Sequence, residues 1–270
     1  MTAGAALAAA SEALGAAGCE SPRLDAEVLI ADALAIDRAL LVADPQRPVS
    51  GAAARVIGER IRRRVGREPV AYILGWRGFR RIELEVDRRV LVPRPETELL
   101  VERALELAVG AWAHEVGTGS GAVALALADE RPDLRVTASD ISPDAVAVAR
   151  ANGARLGLDV TFEVADSLPA PLTRPGAAPD LVLANLPYVT DGEWGGLAPE
   201  IVRHEPRLAL TSGRDGLDAI RALVAGCAPG IRLALEHGAE HGAAVRALLG
   251  DATTYRDLAG RERVTEGAAP

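Results

Sequence analysis

The chain contains no lysine, and all 30 of its basic residues are arginine. Aromatic residues are also scarce, at 3% of 270 residues. Both biases read as the base composition of the source genome, and neither is given a functional meaning. Cysteine is limited to Cys19 and Cys227, which form no metal-binding or redox spacing and point to a reducing compartment. No uninterrupted apolar run is long enough to span a bilayer. The Ala-rich N-terminus lacks a basic leader and carries Gly4, Glu12 and Gly15, a poor match to a signal peptide. These absences predict a soluble, cytoplasmic protein without membrane association. An excess of positive charge is missing too: a net charge of −8 argues against a protein that coats nucleic acid. One segment departs from that balance. From Arg55 to Arg94, twelve arginines stand against five acidic residues. The cluster Arg60, Arg62, Arg63, Arg64 and Arg67 suits an acidic partner or RNA, although a solvated helix face is the commoner outcome for such a run.

What is present is ample apolar content, 49% of the chain, much of it alanine. The length accommodates one large domain or one domain with a small companion. Residues 1–67 read as helices at about 3–16, 22–35, 37–43 and 50–66, with Ser21 as an N-cap before Pro22. This part has few large apolar side chains, which predicts loose packing. From Glu68 the pattern turns extended. Val70 to Trp76, and then Ile82, Leu84 and Val86 alternating with polar residues, predict a hairpin linking two domains. Pro93-Arg94-Pro95 makes a stiff loop before a helix from Thr97 to about Val109. Beyond it, strands at 112–116, 134–139, 159–164, 180–184, 231–236 and near 262–265 alternate with helices at 122–130, 143–156, 215–226 and 239–249. Leu168–Pro179 reads as a loop. The alternation predicts an α/β fold, a parallel-dominated sheet flanked by helices, with ligands bound at the C-terminal edge of its strands.

Three motifs fall at such strand ends. Glu115-Val116-Gly117-Thr118-Gly119-Ser120-Gly121 runs into the helix-prone Ala122–Ala128. Alternate glycines let backbone N–H groups approach a ligand closely, and the helix N-terminus adds a positive dipole end. Asp140 lies 23 residues beyond Gly117, the spacing of an acid that binds two ribose hydroxyls. Gly117, Gly119 and Ala122 also satisfy the dinucleotide fingerprint, so the loop indicates an adenosine-type cofactor without choosing NAD over S-adenosylmethionine. The third motif, Asn185-Leu186-Pro187-Tyr188, follows the apolar run Leu181–Ala184. The Asn185 side-chain oxygen and the Leu186 carbonyl suit the two N–H bonds of a planar NH2 group, while Tyr188 covers its face. Pro187 stiffens the turn. A plain Asn-Pro turn is the alternative reading.

Together these residues resemble the bacterial release-factor glutamine methyltransferases, which use S-adenosylmethionine to methylate the glutamine of the Gly-Gly-Gln loop of peptide chain release factors. The resemblance covers nearly the whole chain. It includes Ser21-Pro22-Arg23, Arg67-Glu68-Pro69-Val70, Pro93 to Glu98, Gly117 to Gly121, Glu205-Pro206, Asp215-Gly216, Leu235-Glu236-His237-Gly238, and Asp257 with Glu262-Arg263-Val264. It implies a class I methyltransferase (Rossmann-like) mixed sheet over 91–270, a β-hairpin linker over 68–90 and a release-factor-binding helical domain over 1–67. It implies that Gly117, Thr118, Gly119, Ser120 and Gly121 line the methionine and ribose part of the cofactor. Glu115 would stand near the methionine amino group, where the family has Asp. Asp140, with Ile141 beside it, would hold the ribose, and Asp166 with Ser167 would lie by the adenine. Asn185 would border both cofactor and substrate; with Leu186, Pro187, Tyr188 and Arg94 it would hold the glutamine. No metal is implied, and the expected partner is a release factor met by a monomer without stable nucleic-acid binding. One residue departs from the pattern: the family usually has Pro at the position of Leu186. Asn-Leu-Pro-Tyr is typical of ribosomal RNA adenine dimethyltransferases, which lack such a helical domain and are usually basic.

Three rival readings stay open from the residues alone. An adenine or guanine N-methyltransferase acting on RNA or DNA offers the Asn185 turn the same kind of planar NH2 group. A nicotinamide-dependent reductase accounts for the glycine loop but leaves that turn without a purpose. A non-catalytic adaptor is opposed by the intact loop, Asp140 and Asn185. The histidines add little. Thr118 stands where a zinc-protease helix beginning at His114 needs its second His, and His204, His237 and His241 are expected to be structural or exposed.

Overall fold

The computed structural model describes residues 1–166 and 178–270. Two units divide the chain: Met1–Gly75 with Ala198–His204, and Trp76–Leu197 with Glu205–Pro270.

The first unit is helical, built from α1 (Ala3–Ala16), α2 (Pro22–Ala33), α3 (Arg38–Ala43), α4 (Gly51–Val65), α5 (Val70–Leu74) and, from later in the chain, α9 (Pro199–His204). Hydroxyl caps start two of these helices: Thr2 accepts from Ala5 N before α1, and Ser50 from Ala53 N before α4. Alanine fills most of the seam, where Ala3, Ala6 and Ala10 are buried with Leu14, Ile30, Leu41 and Ile57. A Cβ added at Gly4 would stand 2.9 Å from Pro45 Cβ. The unit is therefore closely packed by small residues, not loose as its composition suggested. The arginine cluster is consumed within the same unit. Arg60 pairs with Asp32, Arg62 with Glu59, Arg63 with Glu68, Arg64 with Asp25 and Glu200, and Arg67 with Glu200.

Two expectations shift. Val70–Leu74 is a short helix closed by Gly75, not a strand. The hairpin is accordingly confined to β1 (Trp76–Phe79) and β2 (Ile82–Glu85), paired antiparallel. It belongs to the second unit, where Glu85 N donates to Asn152 Oδ1 at 2.8 Å and Asn152 Nδ2 donates to Glu85 O at 3.0 Å. The division thus falls at Gly75, away from the expected boundaries at 67 and 90.

The second unit is built on a seven-stranded sheet of order β5-β4-β3-β6-β7-β9-β8. Its strands are β3 (Trp112–Val116), β4 (Arg135–Asp140), β5 (Thr161–Val164), β6 (Leu181–Asn185), β7 (Arg232–Glu236), β8 (Gly250–Arg256) and β9 (Glu262–Ala268). The pairs among β3 to β7 are parallel, whereas β9 is antiparallel to both β7 and β8. The helices are α6 (Glu98–Ala104), α7 (Ala122–Glu130), α8 (Pro143–Leu156), α10 (Asp218–Gly226) and α11 (Gly242–Arg246). Because β6 and β7 are covered on both faces, their sequences are continuous apolar runs, Leu181–Ala184 and Leu233–Leu235, each residue at most 1% exposed. Ile220 and Leu223 of α10 complete that core with Val116 and Val182. The strand order reverses at β3 and β6, and this switch point opens a crevice at the strands' C-terminal ends.

Candidate active site

The loop leaving β3 is folded onto β4, with Gly117 N and Thr118 N donating to Ser139 O at 2.9 and 3.0 Å. Gly117 has φ of +76°, and a Cβ there would lie 3.1 Å from Leu186 Cδ2. Both facts favour glycine, which joins the loop to the Asn185 turn at van der Waals distance. At Gly119 a Cβ would meet nothing within 4 Å, because this part of the loop borders a cavity of about 290 Å³. Glu115 is 3% exposed. Its Oε2 accepts from Thr118 Oγ1 at 2.6 Å and from Ala124 N at 2.9 Å, tying the loop to the first turn of α7. Burial pushes its pKa up to about 8; the two hydrogen bonds oppose the rise and the Asp140 charge adds to it.

Asp140 ends β4 with both oxygens engaged on one side. Oδ2 accepts from Gly119 N at 2.9 Å and Oδ1 from Ser142 N at 2.8 Å. A carboxylate oxygen has two lone pairs, so each retains one for a ligand. Burial raises the Asp140 pKa, and the two backbone bonds counter it. Ile141 beside it is 49% exposed and lines the same cavity. Asp166 also lines it, just past β5, whereas Ser167 lies outside the described residues.

Asn185 ends β6. Its Nδ2 donates to Thr97 Oγ1 at 3.0 Å, and Oδ1, the amide's acceptor, has no hydrogen-bond partner among the described residues. Leu186 and Pro187 line the large cavity and, with Tyr188, a smaller one of about 30 Å³. The Tyr188 ring meets His241 edge-on, with centroids 6.5 Å apart. Burial pushes the Tyr188 phenol up to about 12, with the Glu236 charge adding to the rise, so it stays neutral. Arg94 borders both cavities. Its Nη2 donates to Glu205 Oε1 at 2.6 Å, while Glu205 Oε2 accepts from Val92 N at 3.3 Å. The arginine therefore pins its own loop, and its charge is already matched by a carboxylate.

The structure gathers nearly all of the residues expected from the motifs around this crevice. Among the described residues Gly121 is the exception. It lies outside the cavity lining, and its φ of +85° and a Cβ position 2.8 Å from Leu125 Cδ1 make it a packing glycine at the start of α7. The sequence had assigned no role to Thr97, Leu91, Pro206 or Leu208, which also line the cavity. Thr97 and Pro206 stood within quoted motifs, and Leu91 and Leu208 lie near them. His114 is a core residue: its ring nitrogens lie 2.8 Å from Thr137 Oγ1 and 3.1 Å from Ser139 Oγ. Burial pulls its pKa down to about 4, which keeps it neutral.

Sheet order, glycine loop and strand-end acid define a class I S-adenosylmethionine-dependent methyltransferase. Residues 113–205 match the methyltransferase domain family, and residues 5–75 match the PrmC N-terminal domain family. The chain is 42% identical to the release factor glutamine methyltransferase of Moorella thermoacetica, covering 97% of each. It is 43% identical to that of Xylella fastidiosa strain 9a5c, over 92% of this chain and 94% of that one. It belongs to the release factor glutamine methyltransferase family. Among solved structures, the hMettl16 catalytic domain in complex with MAT2A 3'UTR hairpin 6 shares the fold. Its TM-score is 0.50 at 11% identity, over 69% of this chain and 75% of that one.

Proposed function

We infer that this enzyme transfers the methyl group of S-adenosylmethionine to the side-chain amide nitrogen of the glutamine in the Gly-Gly-Gln loop of peptide chain release factors. The observation that carries the site assignment is the Asn185 amide, anchored through Nδ2 with Oδ1 left free. The crevice fits the cofactor. The glycine loop presents an open backbone edge, and Asp140 keeps a lone pair on each oxygen for two ribose hydroxyls. The bound cofactor supplies a methyl group on a positively charged sulfur. In this reading Asp140 holds the ribose, Gly117 to Ser120 admit the methionine end, and Asp166 borders the adenine.

A glutamine amide nitrogen is a weak nucleophile because its lone pair is delocalised into the carbonyl. Asn185 Oδ1 and the Leu186 carbonyl accept its two N–H bonds and stabilise the positive charge that grows on nitrogen, an interaction strongest in the transition state. Their placement also aligns the nitrogen with the methyl group. Tyr188 covers the flat amide. Water takes the proton once methylation has made the nitrogen acidic. Leu186 supplies the same backbone carbonyl as the family's usual Pro.

The helical unit is assigned to contact with the release factor, and the enzyme to the cytoplasm as a monomer. Among the described residues no helix is long and apolar enough to cross a membrane. The basic segment from Arg55 to Arg94 was the best sequence argument for a nucleic-acid acceptor, and the five arginines of its cluster are paired with acids. The test is methyl transfer from labelled S-adenosylmethionine to purified release factor, with a loop Gln→Ala factor, ribosomal RNA and DNA as parallel acceptors. Label on the wild-type factor alone is expected. Label on nucleic acid alone overturns the reading.

A further inference from the structure

We propose that Glu236 is a positioning residue for this reaction, holding the Asn185 amide the right way round through the hydroxyl of Thr97. The inference rests on the glutamine methylation reading above. Asn185 and Glu236 are register partners at the C-terminal ends of the parallel strands β6 and β7, so their side chains leave the same face of the sheet. Thr97 is 5% exposed and receives the Nδ2 hydrogen of Asn185 at 3.0 Å. Glu236 is 1% exposed, its Oε2 has no hydrogen-bond partner among the described residues, and the Thr97 hydroxyl favours its ionised form.

The chemistry of the three groups gives the chain a direction. Thr97 has one hydroxyl hydrogen, and a carboxylate only accepts. In the proposed relay Asn185 donates to Thr97, the Thr97 hydrogen turns to Glu236, and Asn185 Oδ1 is left facing the substrate. A flipped Asn185 would offer NH2 to the NH2 of the substrate. It would also draw the Thr97 hydrogen away from Glu236, leaving a buried carboxylate without its donor. A glutamine at position 236 loses this control, since its own NH2 group can donate to Thr97 and allow the reversed chain.

The direction holds only while Glu236 is ionised. Arg263 on β9, Arg94 and Glu96 on the loop before α6, and Tyr188 on the Asn185 turn are the charged and titratable groups that face it. Burial pushes its pKa up to about 7, against the Thr97 hydrogen bond and the two arginines. Below that pH a protonated Glu236 can itself donate to Thr97, and turnover falls.

The test compares wild type, Glu236→Gln, Thr97→Val and the double variant. Each single change is expected to lower kcat about tenfold, with the cofactor Kd and the release-factor KM within about twofold of wild type. The double variant should lose no more than either single one, because both remove one relay. The acid limb of the kcat profile near neutral pH should vanish in Glu236→Gln, and Thr97→Ser should recover most of the rate lost in Thr97→Val. In the free protein, carboxyl NMR of labelled glutamate should show the Glu236 midpoint moving upward in Thr97→Val, where the stabilising donor is gone. Wild-type kcat and an unchanged pH profile in Glu236→Gln would overturn the relay while leaving the methylation reading intact. A wild-type enzyme that labels no release factor overturns that reading instead. If Glu236→Gln fails to bind cofactor, Thr97→Val decides alone: a kcat loss with the midpoint shift supports the relay, and normal turnover ends it.

Discussion

At the scale of single residues, the proposed mechanism gives the reacting amide to Asn185 and the ribose to Asp140. In that reading Asn185→Ala should lower kcat by about two orders of magnitude. Single-turnover kinetics would check it, and near-normal turnover would remove Asn185 from the mechanism. Asp140 presents the converse case. Its oxygens already accept from Gly119 N and Ser142 N, so their remaining lone pairs point to a ligand. Replacing it with Ala removes two charge-assisted acceptors, and the cofactor Kd should rise at least about tenfold. An unchanged Kd would show that the ribose is held elsewhere.

At the scale of elements, the contact between the glycine loop and the Asn185 turn is the joint on which the site depends. Gly117→Ala combines a left-handed backbone position with a Cβ only 3.1 Å from Leu186 Cδ2. The backbone term alone costs about 1–2 kcal/mol. Shortening the opposing side chain in Gly117→Ala/Leu186→Ala should restore part of the lost thermal stability and cofactor affinity. Additive losses in that cycle would mean that the two elements do not press on each other. The glycine loop, Asp140 and the Asn185 turn were legible in sequence because each is a local motif at the end of an apolar strand. Thr97 and Glu236 stood in quoted segments, Pro93 to Glu98 and Leu235 to Gly238, but without a role, since only the placement of β7 beside β6 brings residues 97, 185 and 236 together. Val70–Leu74 is a five-residue apolar run, too short for periodicity to separate helix from strand. The outer strand β8 escaped notice because Gly250–Arg256 is a largely polar edge strand without an apolar face to read. The acids that pair the arginine cluster, Asp25, Asp32 and Glu200 among them, lie on other helices, which no local pattern reveals.

At the scale of the whole molecule, buried acids set how stability responds to pH, and they act in opposite directions in the two units. In the helical unit Glu200 is partly buried, which opposes its ionisation, yet the hydrogen bonds from Arg67 and Arg64 win and hold its pKa near about 2. Its stabilising contribution is complete above the ordinary glutamate range near 4.5 and is lost as pH falls toward 2. In the sheet unit Glu115 and Glu236 have folded pKa values raised by burial, to about 8 and about 7. The folded state then binds more protons than the unfolded one between the ordinary value of 4.5 and these raised values. The contribution of these two acids therefore declines as pH rises through that window, while buried His114, held near about 4, contributes in the opposite sense below its ordinary 6.5. Glu115 offers the cleaner test, because both of its hydrogen bonds fall on one oxygen, Oε2. A glutamine carbonyl can accept the same two bonds without carrying a charge into the core. Glu115→Gln should therefore raise the melting temperature at about pH 8, with the advantage shrinking to nothing by about pH 5. Thermal unfolding of both proteins across that range measures it, and a pH-independent loss of stability would mean that the glutamine cannot hold Thr118 and Ala124 as the carboxylate does.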